Sequence, residues 1–423
     1  MSVDSDATTA PDAGPARSIE RGTAALETAG IFWCRVRERA AGSEDDLLVA
    51  DPDVHRARVV LAGAGFVELR RPGRGSHRAF HAFDLERDAW AKLDLVTAID
   101  HGPYQELPTT LAAPLLARRI GRGTGWALHP DDAFWVVLLH ELLDRPTPAI
   151  RRPDELRRLA AEAGDGGPAR DLVEAVLAPA IPADRVRSLV QAGHWSSVLG
   201  LAPALRAGLR HRSPLGVAVR CAGRRLVRAV DRASPPFVRR GVSVALLGPD
   251  GVGKSSLGGL VGRAGPLAVR RVYLGLYGDR RTRARLRVPG IGFLRRLVRM
   301  WRGWLNGWLH VRRGRFVVYD RYPIDALIAR GGGVRTRLAR ALLGRALPAP
   351  DLVVVLDAPA DDLYARKPEH PVERLEEQRR GYLRYAARTP GVAVVDASRP
   401  AEVVAREVTA LAWERRATLD RSR

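Results

Sequence analysis

The strongest chemical signal in the chain is a run of eight residues. Gly248-Pro249-Asp250-Gly251-Val252-Gly253-Lys254-Ser255 fits the spacing G-x-x-x-x-G-K-[ST]. An apolar strand pattern at 242–247 precedes it and a helical pattern at 256–261 follows. Glycines leave room for backbone N–H groups to curl round a phosphate, and a following helix adds its positive end. Gly248, Gly251, Val252, Gly253, Lys254, Ser255 and Ser256 are therefore expected to hold ATP. Lys254 would meet the β- and γ-phosphates, and the Ser255 hydroxyl would ligate Mg²⁺. A glycine-rich turn without a ligand is the plain structural alternative. Lysine usage weighs against it, because Lys92, Lys254 and Lys367 are the only lysines among 69 basic residues.

Two further segments bear on what such a loop would do. Arg315-Phe316-Val317-Val318-Tyr319-Asp320-Arg321-Tyr322 puts an acid and a base at the end of a strand. Strand ends of this kind border the ligand crevice of open α/β sheets. Asp320 is expected to serve Mg²⁺ or the acceptor, and Arg321 to fork onto an acceptor phosphate; a strand-end salt pair is the alternative. Ala365-Arg366-Lys367-Pro368-Glu369-His370-Pro371-Val372-Glu373-Arg374 reads as a cationic, proline-broken loop. As a mobile lid it would neutralise charge and exclude water. As a surface loop it would only be solvated.

On these residues the stretch 240–415 resembles the thymidylate kinase branch of the P-loop nucleoside monophosphate kinases. The resemblance also rests on Asp351-Leu-Val-Val-Val-Leu-Asp-Ala-Pro359 and Gln378-Arg-Arg-Gly-Tyr-Leu-Arg-Tyr385. It implies that Asp250 contacts the sugar of a monophosphate, with Arg321 and Tyr322 also on the substrate. It further implies catalytic roles for Lys254 and Asp320, and for Arg366 and Arg374 from the lid, with Lys367 nearby. Where that family continues with a serine-rich segment that reads thymine, this chain runs Pro323-Ile-Asp-Ala-Leu-Ile-Ala-Arg330. A different phosphorylated or hydroxyl acceptor is therefore open.

A second set of carboxylates lies near the start. Glu44 and Asp46 alternate along one strand pattern, and Asp94 lies in another. This stretch, about 20–145, resembles the nucleotidyltransferase fold, in which three such acids hold two metals for attack on a nucleoside triphosphate. Where that family has Gly-Ser opening a helix, this chain has Cys34-Arg35, and Gly42-Ser43 adjoins the acids instead. Arg35 would obstruct close backbone approach to a triphosphate. The readings are a degenerate domain, active nucleotidyl transfer, or unrelated acids; the first is expected.

Elements must position these groups. Residues 1–16 read as a disordered tail and 17–100 as an α+β, nucleotidyltransferase-like domain. Its strand patterns lie at 31–36, 46–49, 66–71, 77–86 and 90–96, with a helix at 54–65. Residues 101–233 read as helical, with segments at 131–143, 153–163, 169–177, 183–192 and 215–230, and no chemistry is evident there. A linker at 234–241 leads to the P-loop kinase-like domain at 242–415. Valine-rich runs at 242–247, 271–276, 315–319, 351–356 and 391–395 predict a five-stranded parallel sheet flanked by helices, an α/β fold.

Composition sets bounds. At 46% hydrophobic, the chain can fill ordinary cores. No apolar run approaches the ~20 residues of a membrane span. Two cysteines, Cys34 and Cys221, make no disulfide framework, so a cytoplasmic setting is expected. The net charge of +22 comes from an arginine-biased composition, so no nucleic-acid partner is expected from it. The charge is uneven: residues 263–315 hold 15 arginines and one acid. Within them, 290–311 alternates Leu and Trp with arginine at helical spacing. That is a sheet-covering helix, a peripheral membrane contact or a nucleic-acid contact, the first being expected.

The reading is ATP- and Mg²⁺-dependent phosphoryl transfer to a nucleoside monophosphate-like acceptor. The rivals are an ATP-binding regulatory or scaffold protein without turnover, and nucleotidyl transfer in the N-terminal domain.

Overall fold

The computed structural model describes residues 14–37, 44–69, 75–123, 125–233, 241–263, 265–274, 291–328 and 333–421. The chain forms two compact units, one of residues 1–84 and 89–234, the other of 85–88 and 235–423. The stretches 17–100 and 101–233, read above as separate, share the first unit. The proposed linker at 234–241 and residues 1–13 of the expected tail lie almost wholly outside the described residues.

The first unit is built on a seven-stranded mixed sheet. Its strands are β1 (Trp33–Arg35), β2 (Glu44–Val49), β3 (Val67–Leu69), β4 (Arg78–Asp84), β5 (Ala89–Val96), β6 (Ile120–Arg122) and β7 (Gly125–Ala127), in the order β3-β4-β5-β2-β1-β7-β6. Alternation of side chains sends Leu47, Val49, Leu93 and Leu95 to one face, under helices α1 (Gly14–Thr28) and α2 (Val54–Gly63). Cys34, Leu48 and Val96 go to the other face, into a core with Phe134, Leu138, Leu142 and the helices that follow. Those helices are α3 (Ala112–Ala117), α4 (Pro130–Leu143), α5 (Pro153–Glu162), α6 (Pro168–Leu177), α7 (Ala183–Gln191), α8 (Trp195–Leu199), α9 (Ala202–Arg212) and α10 (Pro214–Ala233). Two expectations are corrected. Gly14–Thr28 is helical, so residues 14–16 do not belong to the expected tail; Ile19, Thr23 and Leu26 recur at helical spacing and are buried. The supposedly all-helical stretch also contributes β6 and β7, which extend the sheet beyond β1.

The second unit holds a five-stranded parallel sheet. Its strands β8 (Val242–Leu247), β9 (Val269–Tyr273), β10 (Phe316–Asp320), β11 (Leu352–Asp357) and β12 (Val392–Asp396) lie in the order β12-β11-β8-β10-β9. Its helices are α11 (Lys254–Leu257), α12 (Ile291–Arg312), α13 (Asp325–Ile328), α14 (Val334–Gly344), α15 (Ala360–Arg366), α16 (Val372–Arg388) and α17 (Ala401–Arg421). Every β8 residue is buried because helices cover both faces. Val242, Val244 and Leu246 meet Leu363, Val404 and Val408 on one face. Ala245 and Leu247 share the other with Tyr319, Met300 and Tyr382. The helix expected across 256–261 is corrected to one turn, α11, after which Gly258, Gly259 and Gly262 carry the chain in turns. Among the described residues no helix is long and apolar enough to cross a membrane.

Candidate functional site

Strand order makes the site. β8 lies between β10 and β11; the chain runs from β8 to β9 on one side and from β10 back to β11 on the other, so the carboxyl ends of β8 and β10 border a crevice. The glycine-rich loop leaves β8 there, and Asp320 ends β10 beside it. Leu246 and Asp320 are register partners.

The loop takes a path that side chains oppose. Gly251 and Gly253 have φ of +89° and +87°, in the left-handed region. A Cβ on Gly251 would also lie 2.9 Å from the Leu363 carbonyl oxygen. Lys254 is 7% exposed, and its Nζ donates to the carbonyls of Gly248 and Pro249, both at 2.7 Å. Burial lowers the Lys254 ammonium from its ordinary 10.5 to about 8; Asp325, Asp250 and Asp320 oppose that fall and Arg321 adds to it. Ser255 Oγ donates to Asp320 Oδ2 at 2.7 Å, and Arg271 Nη2 stands 3.6 Å from the same oxygen. A hydroxyl and a carboxylate converging at a strand end form a hard oxygen set that fits Mg²⁺. Ser256 is exposed beside them, whereas the Val252 side chain belongs to the core. Of Val252, only the backbone can face a phosphate.

Arg321 has φ +69°, strained for a residue with a side chain, in a segment that joins β10 to α13. Its Nη2 lies 2.6 Å from Asp250 Oδ1. Burial would raise the Asp250 carboxyl, but Arg321 and Lys254 hold it below its ordinary value. The pair places one cation and one anion where the loop and β10 end.

Three site expectations are corrected. Tyr322 is 2% exposed; its hydroxyl donates to the Pro348 carbonyl and its ring packs edge-on against Tyr319 at 5.3 Å, so it supports the site from the core. Arg366 donates to the carbonyls of Ala397 and Ser398 at 2.9 and 3.2 Å, instead of reaching over the loop. The loop read over 365–374 is confined to 367–371, between α15 and α16, where Lys367 pairs with Glu369 at 3.1 Å. Arg374 is exposed in the first turn of α16.

The structure adds groups that sequence reasoning passed over. Tyr382 Oη donates to Asp325 Oδ1 at 2.9 Å. Burial raises the Asp325 carboxyl despite the pull of Lys254, and raises the Tyr382 hydroxyl well above its ordinary value. Arg379 grips Asp357, at the end of β11, through Nε and Nη2 at 2.7 and 3.0 Å. Asp325 and Tyr382 lie in segments the sequence had singled out, but no spacing rule joins residues so far apart.

In the first unit, β2 and β5 run parallel with Asp46 opposite Asp94 and Glu44 opposite Lys92. The carboxylates expected to hold metal are ion-paired instead. Lys92 Nζ lies 2.9 Å from Asp94 and 3.1 Å from Glu44, and Arg37 pairs with Asp46. Among the described residues, no group of three or more His, Cys, Asp or Glu is placed to hold a metal ion. The physical reason is Lys92: as a register partner of Glu44 on the neighbouring strand, it puts an ammonium where the acids would share a cation. Arg37 also donates to His140 Nε2 at 2.8 Å, and His140 Nδ1 lies 2.5 Å from Asp144. Burial would raise Asp144, yet His101 and His140 hold it well below the carboxylate range. Arg35 pairs with Asp45 at 3.0 Å, and burial pushes the Cys34 thiol up to about 12. Gly42 and Ser43 lie outside the described residues. With its acids neutralised, the full protein is expected to release no more pyrophosphate from nucleoside triphosphates than an Asp46→Asn, Asp94→Asn control. Release that vanishes in that control would restore nucleotidyl transfer.

No protein-family model matches this chain, and no curated protein matches its sequence. Among solved structures, a thymidylate kinase from Candida albicans is similar over 40% of this chain and 89% of its own, at 18% identity and a TM-score of 0.31. That overlap is too loose to assign a role to any residue.

Proposed function

We propose that the second unit transfers the γ-phosphoryl group of ATP to a phosphorylated, nucleoside monophosphate-like acceptor. The observation that carries this is the Ser255–Asp320 hydrogen bond of 2.7 Å beside the buried Lys254. It brings the hydroxyl of the loop and the acid of a separate strand to one point, the oxygen pair that Mg²⁺ bound to a triphosphate requires. Ser255 and Asp320 would hold that ion, which offsets negative charge on the β- and γ-phosphates when bound. Lys254 exchanges the carbonyls of Gly248 and Pro249 for phosphate oxygens. Arg321, already beside Asp250, receives the acceptor's phosphate, and Asp250 its sugar.

The test is a screen of nucleoside monophosphates and other phosphorylated acceptors, read by ADP release. Arg321→Ala divides the two sites. It is expected to raise the acceptor KM or lower kcat by roughly tenfold or more, as for loss of a charge-assisted hydrogen bond, with ATP affinity little changed. Calorimetry showing an equal loss of ATP binding would move Arg321 to the donor site.

One observation favours a second reading, an ATP-binding regulator without turnover. Arg366 is tied to backbone carbonyls, away from the loop. Tight ATP binding with no acceptor-dependent ADP would establish that reading.

A further inference from the structure

Helix α12 carries a surface that neither the core nor phosphoryl transfer uses. Met300, Gly307 and His310 face inward and are buried. Leu294, Val298, Trp301 and Leu305 are 58, 49, 43 and 47% exposed. At about 100° per residue, these four fall within an arc of roughly 60°, centred far from Met300. Arg295, Arg299 and Arg302 flank one edge of that stripe and are exposed. The 22 residues of the helix contain no Asp or Glu. Trp301 packs edge-on against Trp304 at 5.4 Å, and Trp304 stacks on Trp308 at 6.3 Å, so Trp301 is braced from the core side. Helix α14 in the same unit repeats the pattern: Val334, Leu338 and Leu342 are exposed at four-residue spacing, with arginines between them.

We propose that α12 docks on the surface of an anionic lipid bilayer, its stripe entering the boundary between headgroups and acyl chains and its arginines meeting lipid phosphates. A shallow amphipathic contact of this kind needs an apolar face and a basic face on one helix. Charge selects the occupant. A second copy seated antiparallel on the stripe would bring the arginine rows together, and in either orientation neither helix offers an acid to the other's arginines. Nucleic acid would satisfy the arginines and leave Leu294, Val298, Trp301 and Leu305 against water. A bilayer with anionic headgroups satisfies both faces. The inference rests on no step of the proposed transfer reaction.

The test is sedimentation of the full-length protein with two kinds of vesicle, phosphatidylcholine alone and phosphatidylcholine with an equal part of phosphatidylglycerol. Binding is expected to the mixed vesicles only, and to weaken with salt. Trp301→Glu with Leu305→Glu, and separately Arg295→Glu with Arg302→Glu, should each weaken binding by at least roughly tenfold. Thermal unfolding of each variant separates lost docking from lost folding; the Arg295 and Arg302 variant, which removes no ring packing, is expected to unfold as the unsubstituted protein does. Failure to bind mixed vesicles, equal binding to both kinds, or undiminished binding by either variant would overturn the proposal. So would a concentration-dependent dimer that the Trp301 and Leu305 substitutions abolish.

Discussion

Lys254→Ala is expected to lower acceptor-dependent ADP formation by roughly 10²-fold or more while the protein stays folded. The ammonium is the only cation the loop itself carries, and it lies nearly buried, where charge interactions are strongest. The carbonyls that hold it, of Gly248 and Pro249, belong to the same loop, so its release toward phosphate needs no rearrangement of the sheet. The pH dependence of stability checks the same residue without turnover. Lys254 titrates at about 8 in the folded protein against an ordinary 10.5. Between those values the unfolded chain binds the extra proton, so stability should rise with pH from about 8 to 10.5. Below the folded value both states are protonated and this contribution is flat. Thermal unfolding of Lys254→Ala across the same window should lack the rise. Near-normal turnover in the variant would remove the kinase assignment, and an unchanged pH profile would remove the burial argument.

Asp320→Asn should cost a comparable factor, roughly 10² to 10³. The amide keeps the shape and can still accept from Ser255 Oγ, so the crevice between β8 and β10 is preserved. What goes is the negative charge that a divalent cation needs beside a triphosphate. The prediction therefore has a signature beyond lost rate: activity should respond to Mg²⁺ at far higher concentrations than in the unsubstituted protein. A Mg²⁺ titration of ADP release reads it directly. If the Mg²⁺ dependence is unaltered while the rate falls, Asp320 serves the acceptor rather than the metal.

The five strands of the second unit were legible as short apolar runs, a pattern that depends on local composition; β8, β10 and β11 are buried on both faces, whereas the edge strands β9 and β12 are exposed or half-buried along most of their length. The same rule failed for α11. Its apolar spacing across 256–261 is helical, yet Gly258 and Gly259 within it, and Gly262 just after, favour turns over a continued helix. In the first unit, α1 was hidden because arginines, glycine and alanines dilute Ile19, Thr23 and Leu26. β6 and β7, at three residues each, are too short to show a period.

For the site, sequence by itself determined the loop, its lysine and its serine, and marked Asp250, Asp320 and Arg321. Each lies within a few residues of a strand end, β8 for the loop and Asp250 and β10 for Asp320 and Arg321, where local geometry dictates what a backbone can cradle. Tertiary structure decided the pairings. It brought Ser255 to Asp320, Arg321 to Asp250 and Tyr382 to Asp325, and drew Arg366 and Tyr322 away from the roles their motifs implied. It also set Lys92 between the N-terminal acids. The Ser255–Asp320, Arg321–Asp250 and Lys92 pairings follow from which strands lie side by side and in what register, and the Tyr382, Arg366 and Tyr322 contacts from how helices and loops pack around that sheet. Both are properties of the assembled fold, since contacts between residues far apart in the chain form only when the whole core closes around them.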